Sequence, residues 1–213
     1  MTIAVNYNSL ITEIAAEFNR NDAVFLTQCP WFISFAEQML FVDFSHLGNE
    51  DYLVGNFVPM NGVINKPALW GDTLTFTYKD PLGKLVILER VAYEYCRKYI
   101  NDPATQNTLY QPTYYTDYGY NRWLIVPTPQ FDFQYEIAYL QKIIPLSLSQ
   151  QTNWNTTYAY DLLFACCCYW AALYLQNDTL IALWERIYKE RLDQYNKYNK
   201  GRKADRLSDV LKD

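Results

Sequence analysis

Between Asp161 and Asp178 the chain runs 16 residues without a charge. The spacing predicts a helix over 157–176 that is apolar nearly all round. Such a helix has no face to give to water, so other parts of the protein must surround it. A bilayer span needs roughly 18 or more mostly apolar residues, and this run includes Gln176 and Asn177. It therefore reads as the central helix of a folded core, and no membrane partner is expected. The remaining sequence has to supply the walls.

Both ends of the chain offer amphipathic helices for that purpose. Leu10, Ile11, Ile14, Ala15 and Phe18 share one helical face, which predicts a helix over 7–20 capped by Asn6 or Asn8. Pro30 suits the first turn of a second helix, 30–43, with Phe32, Phe35, Ala36, Met39 and Leu40 as its apolar stripe. After the central helix, Asn177-Asp178-Thr179 reads as a break and a cap. A helix over 180–199 follows, with Leu180, Leu183, Trp184, Ile187, Tyr188, Leu192 and Tyr195 on one side. Its other side pairs Glu185 with Lys189, Arg186 with Glu190 and Asp193 with Lys197 at i, i+4, as on a solvated helix surface.

In the middle the period changes. Thr73-Leu74-Thr75-Phe76-Thr77-Tyr78 alternates strictly, the pattern of a strand with one dry face. Turn residues flank it at Gly71-Asp72 and Asp80-Pro81-Leu82-Gly83. Residues 85–88, 122–126 and 133–140 read as further strands, and 89–100 as a helix. The fold class expected is α+β: a helical bundle built from the two chain ends, with a small antiparallel β subdomain inserted. The divisions drawn are 1–48, 49–152, 153–199 and a flexible tail, 200–213.

The residues argue against catalysis and against ligand chemistry. Zinc needs several ligands converging on one point. Cys166, Cys167 and Cys168 are consecutive on a helix, so they point about 100° apart. The single histidine, His46, stands apart and reads as a helix-end or surface residue. No nucleophile elbow, phosphate loop or dinucleotide fingerprint occurs. An enzyme is not expected, nor a cofactor, nor a metal. Five cysteines, an odd number with three adjacent, suit reduced thiols better than a disulfide framework. The opening MTIAVNYNSLITE lacks the basic and apolar regions of a secretory signal. With 18 basic residues against 23 acidic, the formal charge is −5, which does not suit a sequence-reading nucleic-acid binder.

Two segments stand out as candidate contact surfaces. The stretch YQPTYYTDYGYNRW holds Tyr110, Tyr114, Tyr115, Tyr118, Tyr120 and Trp123. Tyrosine joins a large apolar face to a polar tip, which suits interfaces. This stretch reads either as a strand pair braced by its tyrosines, as an interface loop, or as a carbohydrate- or receptor-binding platform. The tail interleaves Lys200, Arg202, Lys203 and Arg206 with Asp205, Asp209 and Asp213, and places Leu207, Val210 and Leu211 at i, i+3, i+4. It reads as a solubilising terminus or as a segment that orders on a partner.

The last third carries a recognisable sequence of features. Asn153-Trp154 is followed by Asp161-Leu162-Leu163-Phe164-Ala165, then Asn177-Asp178, then Trp184-Glu185-Arg186-Ile187-Tyr188 with Leu192 and Asn196. More loosely, Leu10, Ile14 and Phe18 precede Pro30-Trp31-Phe32-Ile33 and Ala36-Glu37. Over about half the chain, this resembles the head-to-tail adaptor (connector) proteins of tailed bacteriophages, especially short-tailed ones. These are packing positions, so they speak to fold before function. The long insert and its tyrosines depart from the compact members.

The resemblance implies a structural virion protein at the head–tail junction, made in the host cytoplasm. It implies a homo-oligomeric ring, a dodecamer in most relatives, that sits beneath the portal and carries tail or collar proteins. Genome DNA would pass through its channel without sequence-specific binding. In relatives a C-terminal extension often reaches the portal. Here that would make Lys200, Arg202, Lys203, Arg206, Leu207, Val210 and Leu211 a portal latch.

Overall fold

The computed structural model describes residues 5–44, 49–101 and 111–210, with side chains described as far as Tyr198. The chain divides into two compact units. One combines Met1–Asn49 with Ile143–Asp213; the other is Glu50–Lys142. The fold is α+β, as expected.

In the helical unit, α1 (Tyr7–Glu17) opens with a capping box. Asn6 Oδ1 accepts the Ser9 N–H at 2.9 Å, and Ser9 Oγ accepts the Asn6 N–H at 2.8 Å. Two orphan donors of the first turn are thereby satisfied. The helix α2 (Ala23–Asp43) starts seven residues before the expected 30. Asp22 caps it, accepting the Phe25 N–H at 3.0 Å, and Pro30 sits inside it. An interior proline forfeits a backbone hydrogen bond. The first turns hold regardless because Phe25 and Cys29 are buried in the same core as Phe32, Ile33, Ala36 and Leu40.

The centre is α5 (Tyr160–Tyr174), entered through the short α4 (Trp154–Tyr158). Leu162, Leu163, Ala165, Ala171, Ala172 and all three adjacent cysteines are buried. The helix packs on α1, α2, α4 and α6, so the expectation of a wrapped central helix holds. Gln176 takes the left-handed φ of 52° that turns the chain, and Asn177 Oδ1 accepts the Leu180 N–H at 3.2 Å. Then α6 begins. It spans Asp178–Val210, so the helix expected over 180–199 continues through residues that were read as a separate tail. Lys, Arg, Ala and Leu supply most of that stretch and favour helix; Gly201 is its weakest former. Helices from both chain ends thus share one core, where Leu10, Ile14 and Ile33 meet Leu163, Trp184 and Tyr188.

The β unit consists of two four-stranded sheets around one aromatic core. The first has the order β1 (Glu50–Asn56), β8 (Gln134–Gln141), β3 (Trp70–Lys79), β4 (Leu85–Ile87). The second has β2 (Val63–Asn65), β7 (Arg122–Val126), β6 (Tyr114–Asp117), β5 (Glu89–Arg90). Pairing is antiparallel except for β5 with β6, which are parallel. The exception has a cause: α3 (Tyr93–Asn101) lies between them in the chain, and parallel neighbours need such a crossover. For the same reason the helix expected over 89–100 begins only at Tyr93, Glu89 and Arg90 being taken by the sheet.

Strand β3 also departs from simple alternation. Thr73 faces Tyr139 and Thr75 faces Ala138, so Leu74 is an extra residue. Such a bulge resets which side faces inward. Thr73, Phe76 and Tyr78 point into the core, while Leu74 is exposed.

Candidate functional site

The tyrosine-rich stretch separates into two groups. Trp123 is fully buried, edge-on to Trp70 at 6.2 Å and to Phe76 at 6.1 Å between ring centroids. Tyr115 is buried against Phe76 at 5.3 Å. Both are core residues, which corrects their assignment to an interface loop and removes them from any sugar-binding platform. Strands β6 and β7 turn them inward toward β3. Tyr114 is half-buried, Tyr118 is 39% exposed and Tyr120 76%.

The outward tyrosines are joined by others from α3. Tyr93 stacks on Tyr118 at 6.0 Å, and Tyr95 and Tyr99 meet the Tyr114 ring edge-on at 5.3 and 5.5 Å. Together they make a tyrosine-faced surface of the β unit. Sequence reading missed the α3 contribution, because Tyr93, Tyr95 and Tyr99 look like ordinary helix residues until the β5–α3–β6 crossover lays them beside β6. Tyr110 lies outside the described residues.

The β unit also holds a braced ionic group that draws on both sheets. The Lys66 side chain is almost wholly buried, 3.3 Å from the Trp70 ring centroid and 5.6 Å from that of Trp123. Its ammonium donates to Asp117 Oδ1 at 2.5 Å. Arg90 bridges Asp117 and Asp72, the latter at 3.0 Å. Burial raises the Asp117 pKa, but the hydrogen bonds from Lys66 and Arg90 outweigh it and hold the carboxyl below its usual range. Every charge here has a partner, so the group fixes β2, β5, β6 and β3 rather than offering a reactive centre.

In the helical unit the three adjacent cysteines, with Cys29, are buried and unpaired. Burial pushes the Cys29 thiol up to about 11 and the others higher still. Thiols held neutral are poor nucleophiles and poor ligands. Among the described residues no group of three or more His, Cys, Asp or Glu side chains is placed to hold a metal, and no helix is long and apolar enough to cross a membrane. His46 lies outside the described residues.

Six of the seven latch residues, Lys200, Arg202, Lys203, Arg206, Leu207 and Val210, fall on the last turns of α6. The backbone is helical through Val210. The side chains of Lys200, Arg202, Lys203, Arg206, Leu207 and Val210 lie beyond the described side chains, and Leu211 lies outside the described residues. Among the described side chains, those of α6 partly buried against the helical core include Leu192 and Tyr195.

Comparison with known families adds a match over nearly the whole chain. The family model described as SU10 adaptor protein matches residues 5–210, which takes in both units. The chain belongs to the SU10 adaptor protein family, a family of phage head–tail adaptors. No curated protein matches the sequence. Family membership makes this a structural phage adaptor of the virion, associated with other virion components.

Proposed function

We propose that this protein forms a ring between the portal and the tail or collar of the particle, and that genome DNA passes through that ring. The observation that carries the reading is the family match, which runs across the helical unit and the β insert together. The formal charge of −5 is compatible with a channel wall, because sequence-blind DNA affinity comes mainly from Lys and Arg at phosphates. The outward tyrosines of α3, β6 and the β6–β7 turn suit a lasting protein contact, of the kind a tail or collar component would make.

The same reading makes the end of α6 the portal latch. A helix of 33 residues is about 50 Å long, and the residues of its last turns are the ones that would reach the portal. Lys200, Arg202, Lys203 and Arg206 would meet acidic portal surface, with Leu207, Val210 and Leu211 as the apolar contact. Co-sedimentation with the phage's own portal tests this. Full-length protein is expected to bind, and a chain ending at Asn199 to keep its thermal melt but bind more weakly. Equal binding by the shortened chain removes the latch; no binding by either removes the portal assignment.

A further inference from the structure

The outward face of α2 carries a stripe that the rest of the described chain leaves uncovered. Val24, Gln28, Trp31, Phe35, Gln38 and Val42 step alternately by four and three residues. That is the 3.5-residue period by which one helix packs along another. On an ideal helix these six lie within about 40° of a single line. Val24 is 64% exposed, Trp31 59%, Phe35 40% and Val42 80%.

The stripe has no charge. The two acidic residues of α2 are engaged elsewhere: Glu37 accepts from Leu146 and Asn153, and Asp43 accepts from the Tyr188 hydroxyl at 2.8 Å. Phe35 packs on Trp170 of α5 at 5.1 Å, and a groove of about 400 Å³ runs beside the stripe, bounded by Gln28, Trp31, Trp170 and Tyr174. The outer face of α6 is the opposite kind of surface, with Lys189–Glu185 and Arg186–Glu190 ion pairs turned to solvent. One helix of this unit is dressed for water and another is not.

The stripe also reads the same in both directions about Ile33: Val, Gln, aromatic, aromatic, Gln, Val. We propose that this face binds a second copy of the chain, α2 against α2, antiparallel about a two-fold axis near Ile33. Val24 then meets the partner's Val42, Gln28 meets the partner's Gln38, and Trp31 meets the partner's Phe35. A two-fold contact requires a self-complementary patch, which the mirrored order supplies. The paired glutamine amides fix the register, as single polar residues do in helix seams. An uncharged face approaches its own copy without like-charge repulsion.

Area sets the strength. With a whole aromatic side chain worth roughly 150–250 Å², the exposed parts of Val24, Trp31, Phe35, Val42 and Tyr174 amount to about 500 Å². Gln28 and Gln38 bring the face toward the roughly 800 Å² per partner of a standard interface. The pair is therefore a weak, concentration-dependent dimer of the free chain. It does not rest on the adaptor reading, since it concerns the protein before any portal is met.

Two measurements test it. Gln28→Cys and Gln38→Cys proteins are mixed, oxidised and run on a non-reducing gel. The native cysteines are all buried, so they contribute little background. A covalent dimer is expected from the mixture and not from either protein alone. Sedimentation of the unmodified chain is expected to show dimer growing with concentration, with dissociation raised roughly tenfold or more by Trp31→Asp. A chain that stays monomeric at every concentration, a dimer indifferent to Trp31→Asp, or Gln28→Cys linking to itself overturns the proposal. Those outcomes point instead to a different partner, a different face or a parallel pair. Trp31 is mostly exposed, so the variant should fold; if it does not, the cysteine pairs decide alone.

Discussion

The Glu37 carboxylate of α2 accepts the side-chain amide of Asn153 at 2.6 Å and the Leu146 N–H at 3.1 Å. Asn153 in turn caps α4, accepting the Thr156 N–H at 3.2 Å. One carboxylate thereby fastens the segment that returns from the β unit to the second helix of the chain. This anchoring places 143–152 with the helices, although the sequence alone put that stretch in the insert.

Stability should respond to pH through that residue. Burial pushes the Glu37 carboxyl up to about 7, further than its two hydrogen bonds pull it down. In an unfolded chain it titrates at about 4.3, so the folded state holds a proton that the unfolded state gives up between about pH 4.3 and about 7. The contribution is full below the lower value and is lost as pH rises through the upper one. Thermal melts should show the natural chain losing stability relative to Glu37→Gln across that window. Parallel curves would mean that Glu37 is ionised and well solvated in the fold.

Removing the two partners of the buried ion pair should cost unequal amounts. Lys66→Met keeps most of the volume against Trp70 and leaves Asp117 with Arg90. Asp117→Ala strands the Lys66 ammonium in an apolar pocket, a loss of about 3–5 kcal/mol. Urea unfolding should rank Asp117→Ala well below Lys66→Met. The reverse order would show that the carboxylate, not the ammonium, depends on the pair.

Thr73 Oγ1 accepts both the Trp123 indole N–H at 3.0 Å and that of Trp70 at 3.2 Å. Thr73→Val has nearly the same shape and no acceptor, so it should cost about 1–3 kcal/mol by orphaning the buried indole of Trp123. Thr73→Ser keeps the oxygen and should lose less. Equal melts for the two variants would show that the methyl group, not the hydroxyl, matters.

Two tryptophans of the helical unit should behave oppositely. Trp184 is buried edge-on to Phe164 at 5.8 Å, and its change to Ala should cost about 3–5 kcal/mol. Trp31→Ala, on the uncovered stripe, should move the monomer's stability by about 0.5 kcal/mol or less. Chemical denaturation at low protein concentration compares them directly. A large loss at Trp31 would mean that it belongs to the core.

What could be read from the sequence follows the range of the forces involved. The central helix, the ion-paired face of α6 and the strands at 122–126 and 133–140 were legible, since each is written in a local period. The start of α2 was not, because Pro30 looks like a first turn until Phe25 and Cys29 are seen packed in the core. The Leu74 bulge left no mark in a perfect alternation. Alternation shows that Tyr115 and Trp123 share a sheet with outward residues, but not which of them the opposite sheet will cover. Lys66 and Asp117 stand 51 residues apart, and nothing local announces a pair between the residue that follows β2 and the last residue of β6.

Electron cryo-microscopy of the assembled particle would show where the chain sits. The expected result is a ring of this chain between portal and tail, with the end of α6 against the portal and the channel open to DNA. Density for the chain elsewhere in the particle, or a portal joined to the tail without it, would rule out the head–tail ring.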